Sequence, residues 1–230
     1  MPSYLDLVEQ AVMLQEMRAG QRNRNLSVNT PNVSFNDIFS QSLKQIEKTG
    51  APTSQGVAGI DLSPPADDAE KFKKSLAFVL EKEGSKLVHE DGASGESSKY
   101  GILQSTARAF GYKGNMKDMT RDAAEKIYKK LWELSGSRSL SFPLAIVHFD
   151  TYVNSPGMAK KLLERSKGNI DTYLKLREQR YVKLASAKPD VYGKYLQGWK
   201  NRIKGLRAVA TQYAKANNFT SDLIYPSKKG

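Results

Sequence analysis

Residues 78–102 read FVLEKEGSKLVHEDGASGESSKYGI, an apolar helix end running into a short irregular stretch rich in Gly and Ser. Upstream, Phe72, Leu76, Val79 and Leu80 recur at helical spacing, which predicts a helix over 69–82, with Gly84 as its stop signal. Downstream, 86–89 and 99–103 are β-prone pieces separated by a Gly/Ser-rich turn. Further out the 3.6-residue period returns and predicts helices near 104–110, 120–134, 143–153 and 157–166. Two longer ones follow over 171–186 and 190–216, parted by Pro189. Thr120 suits an N-cap and Pro143 a first helical turn. The fold class expected is mainly α with a small β turn region, that is, α+β. No internal repeat is present.

This pattern occupies residues 67–219. Residues 1–66 differ: Leu5, Val8 and Val12 mark an amphipathic helix within 3–19, and Phe35, Ile38, Phe39, Leu43 and Ile46 mark a second over 35–48. The segments after each are polar or rich in Gly, Pro and Ser and read as linkers. Two such helices cannot enclose a core, so their apolar stripes rest either on the following domain or on a larger assembly. Residues 220–230 read as a tail.

Composition narrows the chemistry. Of 230 residues 39% are hydrophobic, enough for a core, while 26% are charged. No apolar run approaches the roughly 20 residues of a membrane span. No basic stretch followed by an apolar core marks a secretory signal peptide. There is no cysteine, and the only histidines are His89 and His148, so thiol nucleophiles and zinc–thiolate sites are excluded and no metal or cofactor is expected. The net charge of +12 is concentrated: residues 158–207 carry fourteen Lys/Arg against four Asp/Glu. That field suits a polyanionic partner or serves only as a solvated surface.

Hydrolysing a glycosidic bond requires one carboxyl that donates a proton and another that stays charged. Glu83 fits the first role, because a helix C-terminus and the apolar neighbours Val79, Leu80 and Leu87 favour its neutral form. Asp91, in a Gly-flanked turn, fits the second. Glu90 and Glu96 lie close enough to take its place. Ser98 carries a hydroxyl suited to holding the nucleophilic water.

The order Glu83-Gly84, Glu90-Asp91-Gly92, Ser98-Lys99-Tyr100-Gly101-Ile102 resembles the signature of glycoside hydrolase family 108 peptidoglycan muramidases, sometimes labelled secretion activators. The resemblance continues through Phe149-Asp150-x-x-Val153-Asn154 to Gly198-Trp199-x-Asn201-Arg202, covering residues 69–215. Ser85 stands where the family has a second glycine, the Asp-Pro-Gly-Gly turn is replaced by Asp91-Gly92-Ala93-Ser94-Gly95, and Ser98 replaces a threonine. The resemblance implies a lysozyme-like fold and cleavage of peptidoglycan between N-acetylmuramic acid and N-acetylglucosamine, with Glu83 as acid. It is also similar to the Glu–Asp–Thr arrangement of inverting phage-type lysozymes.

Asp150 and Asn154, one turn apart, either face a sugar cleft or stabilise helix packing. Tyr100 either stacks on a sugar or fills core. Trp132, Trp199, His89 and His148 read as structural, and the basic face of 158–207 as a means of retention on an anionic wall.

Two rivals to hydrolysis are a lytic transglycosylase, giving anhydro ends, and a non-catalytic wall-binding assembly protein. Nucleic acid is not an expected partner, because aromatic residues do not interleave with the basic ones. Residues 34–46 weakly resemble helices of flagellar rod proteins and phage tail hubs. The expectation is a muramidase carried by such an assembly through residues 1–66, acting in the virion or at the cell wall after delivery.

Overall fold

A computed structural model describes residues 63–83, 87–91 and 96–217. The helices expected over 3–19 and 35–48, the two linkers, the Gly84 stop signal and the tail at 220–230 lie outside the described residues.

Helix α1 (Asp68–Glu83) leads into a three-stranded antiparallel sheet: β1 (Val88–Asp91), β2 (Glu96–Lys99) and β3 (Ile102–Leu103), in the order β1-β2-β3. Seven helices follow: α2 (Gln104–Ala109), α3 (Arg121–Ser135), α4 (Leu144–Asn154), α5 (Pro156–Ser166), α6 (Ile170–Ala187), the short α7 (Pro189–Tyr192) and α8 (Leu196–Ala216). No helix among them is long and apolar enough to cross a membrane. The architecture is the mainly helical, lysozyme-like one with a small β region that the sequence led us to expect.

The sheet departs from expectation in one respect. The piece at 99–103 is not one strand: it divides at Tyr100 and Gly101, whose φ values of 53° and 78° form a two-residue turn between the paired Lys99 and Ile102. Positive φ at both central positions is the condition of a type I′ hairpin. The Ser-rich segment before it, read as turn, becomes β2 because this hairpin supplies a partner on one side and β1 on the other. Buried Ile102 and Leu103 anchor the hairpin in the core, and the buried Tyr128 donates its hydroxyl hydrogen to the Tyr100 carbonyl at 2.8 Å.

Every residue of α4 is buried. A helix buried on all sides has to be central, and α4 packs against α1, α3, α5, α6 and α8. Trp132 and Phe149 meet edge to face at 5.1 Å between ring centroids, closing the core between α3 and α4. The Trp132 indole nitrogen donates to Asp68 at 2.9 Å, tying α3 to the first turn of α1. On the far side Trp199 stacks on Tyr181 at 4.6 Å, with Tyr192 and Tyr195 beside it. Both tryptophans are core residues.

Caps explain the starts of two helices. Thr120 accepts from the Ala123 amide at 3.2 Å and opens α3, and Asn169 accepts from Thr172 at 2.8 Å and opens α6. Pro143 occupies the N-cap position of α4 rather than its first turn. The helix expected over 190–216 is broken: α7 passes into a 3₁₀ turn at Gly193–Tyr195 before α8 begins. That break seats the buried Tyr195 ring against Trp199.

Candidate active site

Glu83 is the last residue of α1 and continues its buried stripe, seven and four residues on from Leu76 and Val79. The period that carries the apolar side chains inward therefore carries the carboxylate inward too, and only 1% of Glu83 is exposed. The Tyr100–Gly101 turn lies directly against it. A Cβ built on Gly101 would stand 2.6 Å from the Glu83 Cβ, 2.7 Å from its Cγ and 2.9 Å from its Oε2. Glycine is thus needed at 101 twice, for its φ of 78° and for the space that Glu83 fills.

The partner of this carboxylate comes from the other end of the domain. Arg202, on α8, donates from its NH1 to Glu83 Oε1 at 2.8 Å. The same guanidinium grips Asp150 of α4, with Nε 2.9 Å and NH2 2.8 Å from Oδ1. Asp150 Oδ2 accepts from Arg177 of α6 at 2.7 Å, and Arg177 Nε donates to the Tyr181 hydroxyl at 3.0 Å. Two carboxyls and two guanidiniums thus alternate along a chain buried among four helices. Burial pushes the Asp150 carboxyl up, but Arg202 and then Arg177 outweigh it and hold it below the usual carboxylate range. Burial disfavours the charged guanidiniums as well, yet both are held above their ordinary value, Arg202 by Asp150 and Glu83, and Arg177 by Tyr181 and Asp150.

The other expected residues fall into two groups. Ser98 is fully buried in the middle strand, its Cα paired with Val88 on one side and Leu103 on the other. Tyr100 is half-buried in the turn beside Glu83 and packs on the core. Asp91 ends β1, opposite Glu96. Glu96, read as a possible substitute for Asp91, accepts from the Ser105 amide at 2.9 Å. It thereby caps α2, whose N-cap Leu103 has no side chain able to do so.

Asp150 and Asn154 require correction. They were assigned to substrate binding, with helix packing left open as the other reading, and burial at 0% and 1% exposure favours the packing. The Asp150 oxygens are taken by two guanidiniums, and the Asn154 amide donates to the Asp150 carbonyl at 2.6 Å. Their place is beneath the site, and the reason is that α4 has no outward face. His148 is structural, its nitrogens 3.2 Å from the Tyr173 hydroxyl and 3.1 Å from the Ser135 carbonyl. Burial drives it down to about 4, against the pull of the Ser135 carbonyl.

Arg202 and Arg177 were missed as site residues. They were counted in a basic outer face, but each lies on a buried stripe: Trp199, Arg202, Ile203 and Leu206 on α8, and Tyr173, Arg177 and Tyr181 on α6. An arginine in phase with buried aromatics was the available signal. Among the described residues no group of acidic and histidine side chains is arranged to hold a metal.

Residues 76–156 match the family model described as glycosyl hydrolase 108. This segment is similar to glycosyl hydrolase 108 domains. The match supports glycoside hydrolase activity, of the type that acts on peptidoglycan. No curated protein and no solved structure matches the chain significantly. The matched glycosyl hydrolase segment holds Glu83, Asp91, Ser98, Tyr100, Asp150 and Asn154, and it ends before the two arginines that neutralise Asp150.

Proposed function

We propose that this glycoside hydrolase is an N-acetylmuramidase, cutting the strand between N-acetylmuramic acid and N-acetylglucosamine, with Glu83 as the general acid. The observation that carries this reading is the position of Glu83. It ends a helix, is buried against a glycine turn inside the family-matched segment, and is held by Arg202. A carboxyl so fixed can deliver a proton to a leaving oxygen in one direction.

In this reading Asp91 supplies the charged carboxylate, directing a water onto the opposite face of the sugar, and Ser98 helps to hold that water. In the same reading the half-buried Tyr100, in the turn next to Gly101, stacks on a sugar ring. Asp150 and Asn154 do not touch substrate. The reading extends to delivery: the apolar stripes of residues 1–66 dock the enzyme on a wall-penetrating assembly such as a phage tail, and it acts on the wall locally after delivery. Deleting residues 1–66 abolishes that association while leaving activity on free peptidoglycan. Loss of activity with association intact would reverse the assignment.

The test of the chemistry is digestion of purified peptidoglycan, with released muropeptides identified by mass and Glu83→Gln run in parallel. Reducing muramic acid ends that disappear in the variant are expected. Anhydro ends would make the enzyme a lytic transglycosylase. No release by the unaltered chain would leave a wall-binding protein.

A further inference from the structure

We propose that Arg202 is a positioning residue that confines the transferable proton of Glu83 to Oε2, and that Asp150 and Arg177 exist to hold Arg202 in that pose. The inference rests on Glu83 being the general acid, and adds to it which oxygen delivers the proton and what selects that oxygen.

A neutral carboxylic acid has one oxygen that carries hydrogen and one that accepts, and in water the two exchange freely. An arginine cannot accept a hydrogen bond, since all five of its N–H groups are donors. NH1 of Arg202 lies 2.8 Å from Oε1 of Glu83, so a hydrogen on Oε1 would meet that donor head-on. The proton of the neutral acid is consequently confined to Oε2. This is the oxygen on the Gly101 side, where the missing Cβ leaves room.

The arginine is itself fixed rather than merely present. Nε donates to both Asp150 oxygens, at 2.9 and 3.2 Å, and NH2 lies 2.8 Å from Oδ1, a grip that holds the guanidinium and aims NH1 at Glu83. Arg177 occupies the second Asp150 oxygen at 2.7 Å, and Tyr181 occupies Arg177. Every link is nine-tenths or more buried, so no water competes for these contacts. The second arginine balances Asp150 in the state where Glu83 is ionised, when Arg202 alone would otherwise have to serve both carboxylates.

Three variants and one direct measurement test this on the full chain. Glu83→Gln establishes whether Glu83 is the acid at all, and full activity in that variant would sink the underlying reading rather than the role of Arg202. Arg202→Lys keeps the charge but cannot grip Asp150 at two points while donating to Glu83. On soluble, uncrosslinked glycan strands its kcat falls at least tenfold with KM changed less than twofold. Asp150→Asn weakens the grip, and its kcat falls less, again with KM preserved. A folded Arg202→Lys protein with unchanged kcat would overturn the proposal, as would a loss carried by KM alone. Where the variants do not fold, neutron diffraction from deuterium-exchanged crystals of the unaltered protein, on the acid side of its activity maximum, decides the matter. Deuterium on Oε2 of Glu83 is the expected result, and deuterium on Oε1 or on neither oxygen refutes it.

Discussion

Gly101→Ala tests the tightest contact in the site, and its cost divides into two parts. The first is conformational: at φ 78° an L side chain meets its own carbonyl, which costs about 1–2 kcal/mol. The second is steric, because the new methyl would lie 2.6 Å from the Glu83 Cβ and 2.7 Å from its Cγ. Those atoms belong to the stem of a side chain whose far end is tethered by Arg202, so they do not swing aside, and overpacking of this kind adds about 1–3 kcal/mol. The total destabilisation expected is about 2–5 kcal/mol. Gly136→Ala is the matched control: its φ is 72° and nothing lies within 4 Å of the added methyl, so it carries the first cost alone. Urea unfolding of both variants isolates the contact, with Gly101→Ala the less stable by at least about 1 kcal/mol. Activity separates them further, since displacing a catalytic group by about 1 Å costs about a hundredfold in rate. Gly136→Ala keeps its rate and Gly101→Ala does not. Equal stability losses together with full activity in Gly101→Ala would refute the claim that the turn and Glu83 are packed atom against atom.

Two further outcomes follow from the same geometry. Because burial lowers His148 from 6.5 to about 4, the unfolded chain takes up a proton as the pH falls through 6.5 while the folded chain does not. Stability is therefore lost between those values, by up to about 3 kcal/mol, and urea midpoints across that window show a shallower slope in His148→Gln than in the unaltered chain; an identical slope would mean that His148 is not buried neutral. Glu96→Ala removes the cap on α2 and costs about 1 kcal/mol, whereas Asp91→Asn abolishes peptidoglycan release. If Glu96→Ala instead abolishes release in a protein that remains folded, Glu96 and not Asp91 is the second carboxylate.

The helices were legible because their apolar residues recur at 3.6-residue spacing, and the caps at Thr120 and Asn169 obey local chemistry. The hairpin was less so. A tyrosine at positive φ is unfavourable by itself, and it is imposed by the burial of Ile102 and Leu103 and by the Tyr128 hydroxyl, none of which is local in sequence. The burial of Glu83 could be read from the sequence because it ends an apolar helix in phase with Leu76 and Val79. Asp150 could not be placed correctly, since spacing on a helix shows which residues share a face but not whether that face meets solvent. The two arginines were obscured by their neighbours: amid so many exposed lysines, a buried guanidinium is visible only by its phase with Trp199 or Tyr181.

Glu83 and Arg202 are 119 residues apart in the chain. The segment that the family model covers stops at 156, so a gene fragment cut there would encode Glu83 and leave Asp150 with neither of its guanidiniums. A nascent chain meets the same condition on the ribosome, where the carboxylates are made well before the residues that neutralise them. The smallest piece that evolution or an engineer can move between proteins intact therefore runs from α1 through α8. Until the last helix has been added, this glycosidase is unfinished at its centre.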